Sequence, residues 1–242
     1  MRHTMKMTVT FILIIGATFQ ARTQRLPSGA DVLHRLVQGV EGVDDYTVNL
    51  QADLHMEHIR IPRAAATMYF KKPDKIHFDS PSIALMPREG VAFNSAAVLE
   101  QYTAQMIGED TAAGLKVYKL QLAAKSASVR LRQLFVWVDP TNWTMVRMQT
   151  IPYEGRILTV DFVYGLQEKK YWMPVSMDAE FGLVGDARTT KSSQADSSTA
   201  PENPADQMIP RAPRSGSLSI TYSDYRINTG LSDDIFKPAP IK

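Results

Sequence analysis

The 242-residue sequence contains no cysteine. Disulfide bonds, thiolate metal ligands and lipid attachment through a cysteine thiol are therefore excluded. A chain without these cross-links must obtain its stability from packing and hydrogen bonds. With 44% hydrophobic and 21% charged residues, the composition is that of a globular protein that can bury a core.

The amino-terminal apolar stretch is too short to cross a membrane. It covers residues 9–17, whereas a spanning helix needs about 20 apolar residues. Arg2, His3 and Lys6 precede it and small residues end it, which is the pattern of a secretory signal peptide. We therefore predict a signal peptide at residues 1–23 and a single domain over residues 24–242. The mature protein is expected to be exported to the periplasm and to be soluble, without a lipid anchor.

An excess of positive charge is also missing from the predicted mature chain. Residues 1–23 contain three of the 27 basic residues and none of the 25 acidic ones, so their removal lowers the formal charge from +2 to −1. A protein that neutralises nucleic-acid phosphates needs a clustered basic surface. We therefore expect no nucleic-acid partner.

Sequence motifs of catalysis and of cofactor binding are absent as well. No nucleophile elbow, phosphate-binding loop or dinucleotide-binding glycine pattern occurs. His55 and His58 resemble a metal-binding pair, but residues three apart in a strand point to opposite faces. The carboxylate pairs at 44–45, 109–110 and 233–234 fall at predicted turns or helix starts, which capping and solvation explain. We expect a protein that is not an enzyme and holds neither a metal ion nor a cofactor.

One amphipathic helix opens the predicted domain. Leucine and valine recur at positions 33, 36, 37 and 40, the spacing that places apolar groups on one helical stripe. Ser28 stands where an N-cap is expected, and Gly42 where a helix ends. The pattern predicts a helix over residues 29–42.

The clearest pattern in the sequence is an unbroken alternation of apolar and polar residues over 46–57. Successive side chains of a strand point to opposite faces, so this strand has one apolar face and one solvated face. Further strands are predicted at 64–71, 75–79, 103–109, 115–123, 129–138, 143–150, 156–165, 170–181 and 216–226. The turn signals between them, rich in proline, glycine and aspartate, predict short connections and hence an antiparallel meander.

The first three strands share an apolar face that we regard as a candidate cavity for an apolar ligand. Several of the chain's methionines fall on predicted strands, and methionine gives a soft lining that accommodates chains of variable shape. The alternative is an ordinary packed core. The predicted lipid-binding residues are Val48, Leu50, Leu54, Met56, Met68, Phe70, Ile76 and Phe78.

Two other segments stand out. The predicted strand at 129–138 is apolar on both faces, so a helix, a partner or closely curled neighbouring strands must cover the second face. Residues 186–215 are rich in small and polar residues with few large apolar ones, which predicts a disordered loop inserted before the last strand.

Three stretches resemble the periplasmic outer-membrane lipoprotein carriers, the LolA-like family. They are residues 68–78 (MYFKKPDKIHF), residues 136–140 (VWVDP) followed by a strand, a turn and a strand, and the tail with Ile227-Asn228, residues 233–236 (DDIF) and Pro238. Their order along the chain is that of the family, over essentially the whole predicted mature chain.

The resemblance implies a mainly β, α+β fold: a strongly curved, unclosed antiparallel barrel with the N-terminal helix and short plug helices on its concave side. It also implies a cavity that takes the acyl chains of a lipid or lipoprotein. The protein would be a monomer, and its partners would be lipoprotein-handling proteins of the inner and outer membranes. Helix 29–42 and segment 82–102 would be the plugs, with a short helix within 95–101. Lys72 stands where the family has the arginine that holds the lid. The alternative function is an envelope-stress sensor or protein-interaction module with a filled core.

Overall fold

The structure, a computed structural model, describes residues 26–56, 59–60, 62–80, 96–129, 131–151, 156–183 and 215–237. The predicted signal peptide, residues 186–214 of the predicted loop and most of segment 82–102 lie outside the described residues. None of the described helices is long and apolar enough to span a membrane.

Helix α1 spans Gly29–Glu41, where the sequence predicts a helix over 29–42. A capping box starts it: the Ser28 hydroxyl accepts a hydrogen bond from the Asp31 backbone N–H at 3.1 Å, and the Ser28 N–H donates to the Asp31 carboxylate at 3.3 Å. The side chains that α1 buries are Val32, Leu33 and Leu36.

The rest of the described chain is dominated by strands. They are β1 Asp45–Met56, β2 Ile59–Arg60, β3 Ala64–Lys71, β4 Lys75–Asp79, β5 Tyr102–Ala112, β6 Leu115–Ala124, β7 Gln133–Asp139, β8 Thr144–Thr150, β9 Arg156–Gln167, β10 Tyr171–Leu183 and β11 Gly216–Ile227. A single helical turn, α2 Ala96–Leu99, precedes β5 within the predicted helical segment, and a 3₁₀ helix at Asp233–Phe236 follows β11.

These strands form one antiparallel sheet in the order β4-β3-β1-β11-β10-β9-β8-β7-β6-β5, with β2 paired to β1. Strand β11 lies between β1 and β10, which brings the end of the chain beside its beginning. Strands β4 and β5 are the two edges and do not pair with each other in the described part of the chain, so the sheet is not closed. The predicted fold class, a curved and unclosed antiparallel barrel with an N-terminal amphipathic helix, is confirmed.

The core lies between α1 and the face of the sheet that packs against it, which we call the inner face. Along β1 the inner-face side chains are buried or half-buried, while Asn49, Gln51 and His55 on the other face are exposed. From Val48 to Met56 the period of two in the sequence is therefore the burial period of the strand, whereas Asp45 and Thr47 at its start are buried as well.

The second apolar face of β7 is covered by neighbouring strands. Trp137 is only 6% exposed, and its indole N–H donates to the Asp110 carboxylate at 2.9 Å. The ammonium group of Lys119 lies 4.7 Å from the Trp137 ring centroid, and Phe135 packs at its edge. Long cationic side chains cover aromatic surface in this way because their stems are apolar. Neither a helix nor a partner is needed on this face, and the strand begins at Gln133 rather than at the predicted residue 129.

Candidate functional site

All eight predicted lipid-binding residues lie on the inner face. The register places Val48 opposite Met68 and Met68 opposite Phe78, while Phe70 is opposite Ile76. Five are buried within the described structure: Val48, Leu50, Leu54, Met68 and Phe70. The other three, Met56, Ile76 and Phe78, are half-buried and pack against the core. The least covered residues of the set therefore lie on edge strand β4 and at the end of β1.

The same apolar face continues across the sheet to β5 and is rich in methionine. Four buried methionines line it on three strands, and two more methionines are half-buried. They are Met68, Met145, Met148 and Met177, with Met56 and Met106 at its margin. An unbranched, polarizable side chain repacks at low cost, so this lining is more adaptable than one of leucine and valine alone.

Helix α1 crosses the inner face and contacts α2, β5, β8 and β10. Its first residue, Gly29, approaches β5 so closely that a Cβ there would lie 2.5 Å from the Ala104 carbonyl oxygen. Further along, the Arg35 guanidinium stacks 4.5 Å above the Trp143 ring centroid. The helix thus occupies the position that the sequence predicts for a plug.

Lys72, the predicted latch, binds the carboxyl end of α1. Its ammonium group donates a hydrogen bond to the Glu41 carbonyl oxygen and lies 3.2 Å from the Asp44 carboxylate. A cation at a helix C-terminus interacts favourably with the helix dipole. Lys72 therefore ties the β3–β4 turn to the end of α1.

A second polar junction, which the sequence did not predict, lies beside Lys72. The Asn228 side chain accepts a hydrogen bond from the Asp44 N–H at 2.7 Å and donates to the Gly42 carbonyl at 2.9 Å. The Asp45 carboxylate, 4% exposed as a residue, accepts hydrogen bonds from the Thr229, Gly230 and Leu231 N–H groups at 2.8, 2.9 and 3.2 Å and from the Thr229 hydroxyl at 3.3 Å. These bonds join the tail after β11 to the start of β1.

A small pocket lies between the second half of α1 and the sheet. Four large apolar side chains, Leu36, Val40, Trp143 and Trp172, form most of its wall, and Gly39, Asn142, Thr144 and Tyr164 complete it. Its volume is about 10 Å³, which is room for one water molecule.

Tyr164 belongs to a group of four inner-face tyrosines that sequence reasoning missed. Burial raises the pKa of Tyr46, Tyr164, Tyr222 and Tyr225 above the usual value, so all four stay neutral. The Tyr225 hydroxyl donates to the Pro174 carbonyl at 2.7 Å, and the Tyr222 hydroxyl contacts the Met177 sulfur at 3.8 Å. The Tyr164 hydroxyl is shielded from solvent and has no hydrogen-bond partner among the described residues.

The described residues contain no candidate metal site: no three histidine or carboxylate side chains among them lie close enough together to hold a metal ion. His55 is exposed and pairs with the Asp53 carboxylate at 3.6 Å. His58 lies outside the described residues.

Comparison with known proteins gives a likeness in structure and none in sequence. No protein-family model and no curated protein matches the sequence. An outer membrane lipoprotein-sorting protein domain from Vibrio parahaemolyticus superposes with a TM-score of 0.56 at 14% identity, over 86% of this chain and 95% of that one. A DUF1329 family protein from Desulfovibrio piger superposes with a TM-score of 0.58 at 16% identity, over 86% and 95%.

A LolA superfamily protein from Nitrosomonas europaea superposes with a TM-score of 0.53 at 13% identity, over 88% of this chain and 99% of that one. The likeness therefore extends over nearly the whole length of all three structures. The chain has the LolA-like fold: an open antiparallel sheet curved around an N-terminal helix.

Proposed function

We propose that this protein binds the acyl chains of a lipid or lipoprotein on the inner face of its open sheet. It shields them from water while it carries them through the periplasm towards the outer membrane. The observation that carries the proposal is an apolar, methionine-rich inner face that ends at edge strand β4, where Ile76 and Phe78 are half-buried.

The energetics favour a long apolar ligand. Each methylene group that leaves water contributes about 0.8 kcal/mol, so affinity comparable with partition into a membrane requires that many methylenes are enclosed. The pocket under α1 holds one water-sized group. We therefore expect an acyl chain to enter from the β4 edge, with α1 shifting and the methionine side chains repacking around it.

The known structures with the same fold support this class of ligand. One of them is a domain of an outer membrane lipoprotein-sorting protein, and another is a LolA superfamily protein. The predicted signal peptide and the absence of cysteine agree with a carrier that is exported and moves freely between two membranes.

The direct test is to purify the mature protein, residues 24–242, from the periplasm without detergent. Native mass spectrometry is expected to detect a bound lipid, and a fluorescent fatty-acid probe is expected to bind the delipidated protein. If the protein carries no lipid and takes up no probe, the proposal is wrong. Recovery of a tightly bound protein with no lipid would favour an interaction module instead.

A matched pair of variants on β4 tests whether the inner face is the site. Phe78 lies on the inner face and the preceding residue, His77, lies on the outer face of the same strand. Because Phe78 is half-buried, Phe78→Ser is expected to weaken binding of the fatty-acid probe about three- to tenfold. His77→Ser is expected to leave the dissociation constant within about twofold. Equal effects of the two substitutions would place the ligand elsewhere.

A further inference from the structure

The hydroxyl group of Tyr164 is an unusual feature of the inner face. The hydroxyl is shielded from solvent without a hydrogen-bond partner among the described residues, and Tyr164 lines a pocket with room for one oxygen-sized group. A buried hydroxyl without a partner is destabilising, because it has lost its bonds to water and gained none in return. The nearby Tyr225 hydroxyl, in contrast, has a carbonyl partner at 2.7 Å.

The surroundings of this hydroxyl determine what it can bind. Leu36, Val40, Trp143 and Trp172 make most of the pocket apolar, and Asn142 and Thr144 line it beside Tyr164, which suits a hydrocarbon chain that carries an oxygen. Tyr164 also packs against the inner-face core, the same core to which the proposed acyl-binding residues belong. Because burial raises its pKa, the Tyr164 hydroxyl stays protonated and can donate a hydrogen bond to an oxygen.

We propose that Tyr164 is a ligand-positioning residue that donates a hydrogen bond to an uncharged oxygen of the acyl ligand, a hydroxyl or carbonyl group next to the hydrocarbon chain. This inference rests on the proposed function and narrows it. The preferred ligand is then an amphiphile with an oxygen near its chain, and pure hydrocarbon is bound without this contact.

The test compares two probes of equal chain length, hexadecanol and hexadecane, each delivered from cyclodextrin to the delipidated mature protein. Binding is followed by the intrinsic fluorescence of Trp143 and Trp172, which line the pocket. A neutral hydrogen bond contributes about 0.5–1.5 kcal/mol, so Tyr164→Phe is expected to weaken hexadecanol binding about three- to tenfold. Hexadecane binding is expected to change by less than about twofold.

Tyr225→Phe is the matched control, since it removes a buried tyrosine hydroxyl that already has a protein partner. It is expected to lower the Tm of the ligand-free protein by about 2–4 °C and to leave the preference between the probes unchanged. Tyr164→Phe is expected to leave that Tm unchanged or to raise it, because no bond to the protein is lost.

The possible outcomes separate this inference from the proposed function. If the wild-type protein binds both probes and Tyr164→Phe affects them equally, the inference is wrong while the proposed function stands. A fall in the ligand-free Tm of Tyr164→Phe that matches Tyr225→Phe would show that the hydroxyl only binds a buried water, which also overturns the inference. If the wild-type protein binds neither probe, both proposals fail.

Discussion

Replacement of Asp45 by alanine is expected to destabilise the protein more than any other single change at the carboxyl end of α1. The Asp45 carboxylate accepts hydrogen bonds from three consecutive backbone N–H groups of the tail and from one hydroxyl. Asp45→Ala removes these acceptors at a position that is 4% exposed. The tail then loses most of its attachment to the start of β1, and Asn228 and the lysine contacts of Leu231 and Asp233 are left to hold it.

The size of the effect follows from the number of bonds and the exposure of the donors. A hydrogen bond to a charged group contributes about 1.5–3 kcal/mol. Thr229 and Gly230 are exposed, so water replaces part of what they lose, whereas Leu231 is half-buried. We therefore expect the free energy of unfolding to fall by about 2–4 kcal/mol, less than the simple sum of the bonds.

Urea unfolding followed by circular dichroism measures this change, and the preceding residue provides the control. Asp44 has the same carboxylate, but its side chain is 78% exposed and forms an ion pair with Lys72 at 3.2 Å. An exposed pair of this kind contributes about 0–1 kcal/mol, so Asp44→Ala is expected to have a small effect. If the two substitutions cost the same, or if Asp45→Ala costs less than about 1 kcal/mol, the Asp45 junction does not stabilise the fold as argued.

Three further predictions concern α1 and the β3–β4 turn. Leu36→Ala, at a side chain 1% exposed, is expected to lower the free energy of unfolding in urea by about 2–5 kcal/mol; a loss below about 1 kcal/mol would mean that α1 is not seated on the core. Gly29→Ala raises the intrinsic helix propensity, but the added Cβ would lie 2.5 Å from a carbonyl oxygen of β5. We therefore expect this substitution to lower the Tm, and a higher Tm would contradict the close contact. Hydrogen bonds from Lys71 and Lys75 lower the pKa of Asp233 from the usual 3.8 to about 2. Because the folded-state pKa is lowered, the ionised Asp233 stabilises the folded protein above pH 3.8, and this contribution is lost as the pH falls towards 2. If Asp233→Asn and the wild type lose folded structure with the same pH dependence in an acid titration, this prediction is wrong.

Much of the sheet could be predicted from the sequence because its pattern is local. The alternation over residues 46–57 became β1 at Asp45–Met56, and the segment at 75–79 became β4 with the same bounds. Strand β7 was predicted to begin too early, at residue 129. A turn occupies residues 126–129, closed by the Val129 N–H bonded to the Ser126 carbonyl at 3.4 Å. Turns without proline or glycine give little sequence signal.

The polar groups of the site could not be predicted, since each depends on contacts between distant parts of the chain. Asp45 and its backbone donors are 184 to 186 residues apart, and the carboxylate pair at 44–45 carries no sign of them. Asn228 offered one local signal: its φ of 56° lies in the left-handed region, which asparagine tolerates better than most residues. Nothing in the sequence distinguishes Tyr164 from its neighbours, because the missing hydrogen-bond partner is a property of the packed structure.

The polar residues within the stretches that carry the sequence resemblance and the groups that would select a ligand are different sets. Lys72 fastens the end of α1, Asn228 ties the tail to it, and Asp233 pairs with the lysines of the β3–β4 turn. All three hold the sheet and its helix together, and none of them is on the inner face. The inner face itself is formed by aliphatic, methionine and aromatic side chains, which under the proposed function would accept hydrocarbon of any origin. The proposed function therefore leaves the ligand open within the class of apolar chains, and any discrimination must come from polar atoms on that face. Among the described residues, the Tyr164 hydroxyl is the side-chain polar atom there that is shielded from solvent and has no partner.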